Sequence, residues 1–226
     1  MITRAFRDRR DAGQKLAERL KHLALDHPIV LALPRGGLPV AYEIAHVLGA
    51  PLDVLNVRKL GVPWQPELAM GAVAGGGVRV LNDDVVAMTG VTKAEVDQAA
   101  AREWQEVERR ERVYREGRPA PEVAGHAVVL VDDGVATGAT ARGAIAVLRA
   151  AHAGRVVLAV PVIQGTVAAE LRGQVDELVA LYEPADLVAI GPWYQQFPQL
   201  TDAEVLAALH RASHERVRTE PPACIP

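Results

Sequence analysis

A chain of 226 residues is long enough for one large domain, or for one domain with an added lobe, and one main core is expected. With 25 Lys and Arg against 28 Asp and Glu, the net charge of −3 carries no electrostatic footprint for nucleic acid or an anionic membrane. The longest apolar runs, such as residues 156–163, fall short of the roughly 20 residues of a membrane helix, and the charged N-terminus lacks a signal-peptide stretch, so a soluble, cytoplasmic protein is expected.

Ala12, Leu16, Leu20 and Leu23 recur at helical spacing, and the apolar run 29–33 follows as a buried strand. Residues 38–48 read as a helix closed by Gly49, and 52–57 as a second strand, completing a βαβ unit of the kind that implies a parallel sheet covered by helices. Residues 57–71, punctuated by Gly and Pro, read as a mobile lid, and 72–81 as a hairpin around Gly75, Gly76 and Gly77. Thr92 and Glu95 have capping-box spacing, and Val96, Ala100, Trp104, Val107 and Tyr114 form one stripe of a charged helix ending near Gly117. That helix reads as a solvated insertion, about 92–117, docked by its stripe; a homodimer surface is the alternative.

Strand, loop and helix alternate again from Ala127: strand to Asp132, helix to Ala151, strand 156–160, helix near 167–171 and strand 178–181. Thr201 and Glu204 form a second capping box before a last helix, and a flexible tail is expected over 218–226. The expected organisation is therefore an α/β domain over 1–217, a parallel sheet flanked by helices, with a small hood at about 182–200 and the helical insertion. The lone Cys224 leaves neither an intramolecular disulfide nor a cysteine metal cage, and the 7 His are scattered without zinc-motif spacing.

Chemistry concentrates in Val128-Val-Leu-Val-Asp-Asp-Gly-Val-Ala-Thr-Gly-Ala-Thr140. An apolar strand delivers Asp132 and Asp133 to the sheet edge, where ligands of open α/β sheets bind. Gly134, Gly138, Ala136 and Ala139 are small enough for backbone N–H groups to approach an anion, and Thr137 and Thr140 add hydroxyls beside a helix N-terminus. Adjacent carboxylates can accept from vicinal sugar hydroxyls and attract a hydrated divalent cation. Phosphate, diol and metal together describe a phosphorylated ribose. Leu33-Pro-Arg-Gly-Gly37 offers a second anion loop between strand and helix, and Arg58 and Lys59 close the next strand with two cations.

The ordered stretch resembles the diphosphate-sugar motif of the type I phosphoribosyltransferases, and the pattern over roughly residues 5 to 210 resembles a bacterial subgroup of them. The resemblance implies that Asp132 and Asp133 hold the ribose 2′ and 3′ hydroxyls of 5-phosphoribosyl 1-pyrophosphate (PRPP), with Gly134, Val135, Ala136, Thr137, Gly138, Ala139 and Thr140 completing the site and 136–140 wrapping the 5′-phosphate. It implies a pyrophosphate loop at Arg35, Gly36 and Gly37, with Arg35, Arg58 and Lys59 neutralising the leaving group together with Mg²⁺, which PRPP itself would mainly hold near Asp132 and Asp133. The implied reaction is phosphoribosyl transfer to a nitrogen acceptor; a PRPP- or nucleotide-binding regulator is the alternative. Hypoxanthine–guanine members carry an acid where Ala136 stands, which argues against a 6-oxopurine handled in that way. Trp64, Trp193, Tyr194 and Phe197 are the flat side chains available for an acceptor, or packing residues closing the core.

Overall fold

The computed structural model describes residues 4–219, with side chains to Glu215. Its centre is a five-stranded parallel sheet in the order β2-β1-β6-β7-β8, formed by β1 (Ile29–Ala32), β2 (Leu52–Val54), β6 (Ala127–Val131), β7 (Arg155–Val162) and β8 (Glu177–Tyr182). The inner strands are apolar throughout because helices cover both faces. Ile29, Leu31, Val128, Leu130, Val156 and Leu158 point to one face, where α5 (Ala139–Ala150) and α6 (Gly165–Leu171) pack. Val30, Ala32, Val129, Val131, Val157 and Ala159 point to the other, towards α1 (Arg9–Leu20), α2 (Gly37–Leu48) and α7 (Asp202–Thr219). The period of two thus divides one run of β-branched residues between two cores.

Two expectations change at the edge. The strand expected over 52–57 ends at Val54; Leu55 and Asn56 leave the parallel sheet, and Val57 starts another. Likewise 57–71 is no irregular lid. It forms β3 (Val57–Val62) and most of β4 (Gln65–Ala74), an antiparallel hairpin that β5 (Arg79–Leu81) extends. Leu60, Val62, Met70 and Val73 bury against Val96, Ala100 and Val107 of α4 (Lys93–Arg115), so packing orders what its Gly and Pro residues made look loose. The 72–81 hairpin and both capping boxes form as expected. The short α3 (Asp83–Thr89) between β5 and α4 is an addition.

This antiparallel sheet, roofed by α4, is the hood. Beyond the end of β8 at Tyr182, residues 183–200 form a 3-10 turn (Gly191–Trp193) and a single bridge from Tyr194 to Phe6, and lie against Phe6 and Ala12. Arg218 and Thr219 continue α7, and the remainder of the expected tail, including Cys224, lies outside the described residues. No helix among the described residues is long and apolar enough to cross a membrane.

The C-terminal end of α4 is pinned to the edge strand by a half-buried charge cluster around the buried Arg115. Arg115 pairs with Glu111 and Asp53 and donates Nη2–H to the Val54 carbonyl at 3.0 Å, while Asn56 donates to Glu111. Burial pushes the Asp53 carboxyl up, with Arg115 opposing it. Removing the cation strands two carboxylates, so Arg115→Met is expected to cost about 3–5 kcal/mol of folding free energy, measured by urea denaturation against wild type.

Candidate functional site

The chain runs from β1 outward to β2, then from β6 outward the other way to β7 and β8, so β1 and β6 flank the point where strand order reverses. Open α/β sheets form their ligand crevice at such a point, beyond the carboxyl ends of the strands. The loops after β1 and β6 meet there. Leu33 N–H donates to the Val131 carbonyl at 2.8 Å, carrying the pairing one residue beyond β1. A Cβ on Gly36 would lie 2.1 Å from Asp133 Oδ2, and one on Gly37 2.6 Å from the Val131 carbonyl oxygen, so only glycines let the two loops touch. In the first loop the Pro34–Arg35 peptide, just before Gly36, is cis.

Asp132 accepts the Asp133 N–H at 2.8 Å through Oδ1. Asp133 is held from outside its own loop: Arg9 Nε–H donates to Oδ2 at 2.8 Å, and the Tyr194 hydroxyl donates to its carbonyl at 2.6 Å. Burial pushes both carboxyls up; the Asp133 charge raises Asp132 further, whereas Arg9 offsets the shift at Asp133. The Tyr194 phenol is likewise raised, by burial and then by the Asp133 charge.

Beyond the acids, Val135 is stitched to the end of β7, its N–H donating to the Val162 carbonyl and its carbonyl accepting from Gln164, each at 2.9 Å. Gly138 turns the chain with φ 76° into α5, whose N-terminus has no side-chain cap. The first-turn N–H groups of a helix have no partner within it, so Ala139 and Thr140 open a donor-rich end beside the half-buried Ala136 and the exposed Thr137. Arg142 fixes the turn from behind, donating to the Thr137 carbonyl at 2.7 Å while pairing with Glu170 at 3.0 Å.

The cations divide. Arg58 and Lys59 line a cavity of about 360 Å³ with Arg102 and Thr140, so the hood faces the turn at the α5 N-terminus. Arg58 pairs with Glu103 at 2.7 Å, and Lys59 with Glu67 of β4 at 3.0 Å. Arg35 points instead towards Asp202 at 3.8 Å. Asp202 accepts from the Tyr114 hydroxyl at 2.6 Å and from Arg109 at 3.0 Å, and these two bonds hold its carboxyl below the ordinary value.

Of the two readings open for the flat side chains, packing is the one that the surroundings of Tyr194 and Trp193 favour. Tyr194 is buried, with Phe6 and Phe197 at ring-centroid distances of 5.2 and 4.9 Å, so no open face remains for a base. Trp193 leans on Tyr182 at 5.4 Å, and Trp64 stands exposed at the turn between β3 and β4. Packing around Phe6 explains the first two. Arg9, Arg142 and Asp202 are site residues that the sequence reading missed, each touching a loop through a contact between distant segments or from behind the turn, and Arg109 and Tyr114 act only by holding Asp202.

This arrangement lies almost wholly within residues 8–182, which match the description of a phosphoribosyl transferase domain. The chain belongs to the phosphoribosyl transferase family. It is 50% identical over 210 residues to Rv0571c of Mycobacterium tuberculosis H37Rv, a protein provisionally named a phosphoribosyl transferase, and equally to its counterpart MT0597 in strain CDC 1551. Those matches cover 93% of this chain and 47% of the relatives, so the chain spans about half of their length. The crystal structure of TT1426 from Thermus thermophilus is similar with a TM-score of 0.85 and 45% identity, over 91% of this chain and 98% of that one. Within the family fold, the two acids sit at the reversal point of the sheet and the glycine loop lies against them.

The acid pair makes a stability prediction. Because the folded state raises Asp132 above its ordinary 3.8, Asp132 favours folding below that value and loses this contribution as pH rises through its folded value. Asp132→Asn keeps an oxygen for the Asp133 N–H and removes the charge. Its thermal midpoint should exceed that of wild type at pH 8, with the difference vanishing near pH 3.5, as followed by circular dichroism.

Proposed function

We propose that this family member transfers a phosphoribosyl group from PRPP to a nitrogen acceptor of the nucleobase class and releases pyrophosphate in a Mg²⁺-dependent reaction. The observation that carries the reading is the contact of the two loops: Gly36 and Gly37 lie against Val131, Asp132 and Asp133, so a diphosphate bound at one loop adjoins a ribose bound at the other. The uncapped start of α5, with Thr137 and Thr140, suits the 5′-phosphate. Asp132 and Asp133 suit the vicinal hydroxyls. Arg35, in the loop that would take the diphosphate, and Arg58 and Lys59, which line a cavity with Thr140, are the cations that would act on the leaving group.

In the transfer, the bond from C1′ to the diphosphate oxygen breaks and the electron pair leaves with pyrophosphate. The acceptor nitrogen forms the new bond to C1′ and then releases its proton to solvent. Positive charge develops on the ribose ring as the leaving group departs, so the cations act on the diphosphate while the carboxylates hold the sugar by its hydroxyls. The chain needs no nucleophile of its own because the donor is already activated. Among the described residues no group of three or more His, Cys, Asp or Glu could hold a metal ion. Asp132 and Asp133 would lie beside a cation held mainly by PRPP itself. When bound with PRPP, Mg²⁺ would supply neutralisation of the leaving group.

Incubation with radiolabelled PRPP, Mg²⁺ and a panel of nucleobases and amines tests the reading by pyrophosphate release. Release should depend on one acceptor, and Asp133→Asn should weaken PRPP binding about tenfold or more, the size of a lost hydrogen bond to a charged group. Wild-type protein that binds no PRPP would refute the proposal; binding without release under every acceptor would leave a PRPP-sensing protein.

A further inference from the structure

Nothing in the diphosphate-sugar motif specifies how its second acid is aimed, and that aim is set from α1. Arg9 has a side chain only 9% exposed and three simultaneous anchors: Asp133 Oδ2 at 2.8 Å from Nε, the Pro198 carbonyl at 2.8 Å from Nη1, and the Phe197 ring, whose centroid lies 3.7 Å from Cζ. Planarity lets one guanidinium serve all three, since it donates at its edge and stacks on its face. On the other side of the same carboxylate lies Gly36, close enough that an added Cβ would meet Oδ2 at 2.1 Å. Oδ2 is therefore enclosed between a fixed cation and the pyrophosphate-loop backbone. Oδ1 remains as the oxygen that no other side chain engages among the described residues. The main chain is fixed as well, through the Tyr194 hydroxyl on the Asp133 carbonyl.

We infer that Arg9 is a positioning residue for the sugar: it locks the Asp133 carboxylate so that Oδ1 alone is presented to a ribose hydroxyl, and thereby sets how strongly the site prefers a sugar that carries the vicinal diol. The inference rests on the reading of 132–140 as a sugar-phosphate site. An unclamped carboxylate can rotate about its Cβ–Cγ bond and must give up that freedom when a hydroxyl binds, whereas the clamped one has already given it up during folding. The phosphate turn does not share this dependence, because Arg142 and the end of β7 hold it separately. Loss of Arg9 should thus act on the hydroxyls and spare the phosphate.

The experiment compares calorimetric binding of ribose 5-phosphate with that of 2,3-dideoxyribose 5-phosphate, which keeps the phosphate and lacks both hydroxyls. Wild type should prefer the diol sugar by about tenfold or more, as expected when hydroxyls donate to charged acceptors. Arg9→Gln should reduce that preference to about threefold or less while holding the affinity for the dideoxy sugar within about twofold, consistent with a lost orientation effect. Arg10→Gln is the control for the loss of a cation from α1: it breaks the pair to Glu43 on α2, 2.8 Å long, without touching Asp133, and should leave the preference intact. If Arg9→Gln does not fold, Arg9→Lys supplies the same comparison, because one ammonium keeps the charge but cannot keep both hydrogen bonds and the flat stack. A folded variant at position 9 with wild-type preference overturns the inference. A wild type that binds neither PRPP nor ribose 5-phosphate overturns instead the function proposed above.

Discussion

The architecture of the site depends on one close approach. β1 and β6 are adjacent and in register, with Ala32 opposite Val131, so the loops that leave their carboxyl ends compete for the same space. They share it because neither Gly36 nor Gly37 has a side chain: the missing Cβ atoms would lie 2.1 Å from a carboxylate oxygen and 2.6 Å from a main-chain oxygen. Gly36 itself has φ −61°, a conformation open to any residue, so its requirement is space rather than backbone freedom. If the loops were forced apart, donors facing a leaving group would no longer adjoin carboxylates facing a sugar. The proposed chemistry needs both within one ligand.

The parts of this site written contiguously were legible in the sequence. An apolar run, two acids, small residues and a helical pattern specify strand, edge, turn and helix start in order, and the structure forms them in that order from Ala127 to Ala150. Arg9 was illegible because Arg7-Asp-Arg-Arg10 reads as a solvated charge run, and its partner is 124 positions away. Asp202 has the same history: as the residue after a cap it looks like a helix-start acid, and Tyr114 and Arg109 find it across 88 and 93 positions. The hairpin over 57–74 misled for a different reason. Gly61, Pro63 and Pro66 punctuate it like a loop, yet Gly61 is there because a Cβ would meet the Pro66 carbonyl oxygen at 2.4 Å across the two strands. In Trp193, Tyr194 and Phe197 the rings were visible but their neighbours were not; Phe6, from the opposite end of the chain, turns part of an apparent platform into packing.

The pairing of the cations separates those that a ligand can recruit from the one that it cannot. Arg35, Arg58 and Lys59 each face an acid in partly exposed pairs, with Asp202, Glu103 and Glu67. Such pairs are worth about 0–1 kcal/mol, so an incoming phosphate, with more charge and more acceptor oxygens than a carboxylate, can take the cation over. Until then the acids limit mutual repulsion among the guanidinium and ammonium groups around the crevice. Arg9 and Asp133 are enclosed at 9% and 14% exposure, and separating them would strand a charge out of water. A ligand has no comparable means of displacing Arg9. On the proposed reading, the cations that would meet the diphosphate are displaceable while the clamp under the sugar is not, a division suited to releasing a leaving group while holding the ribose.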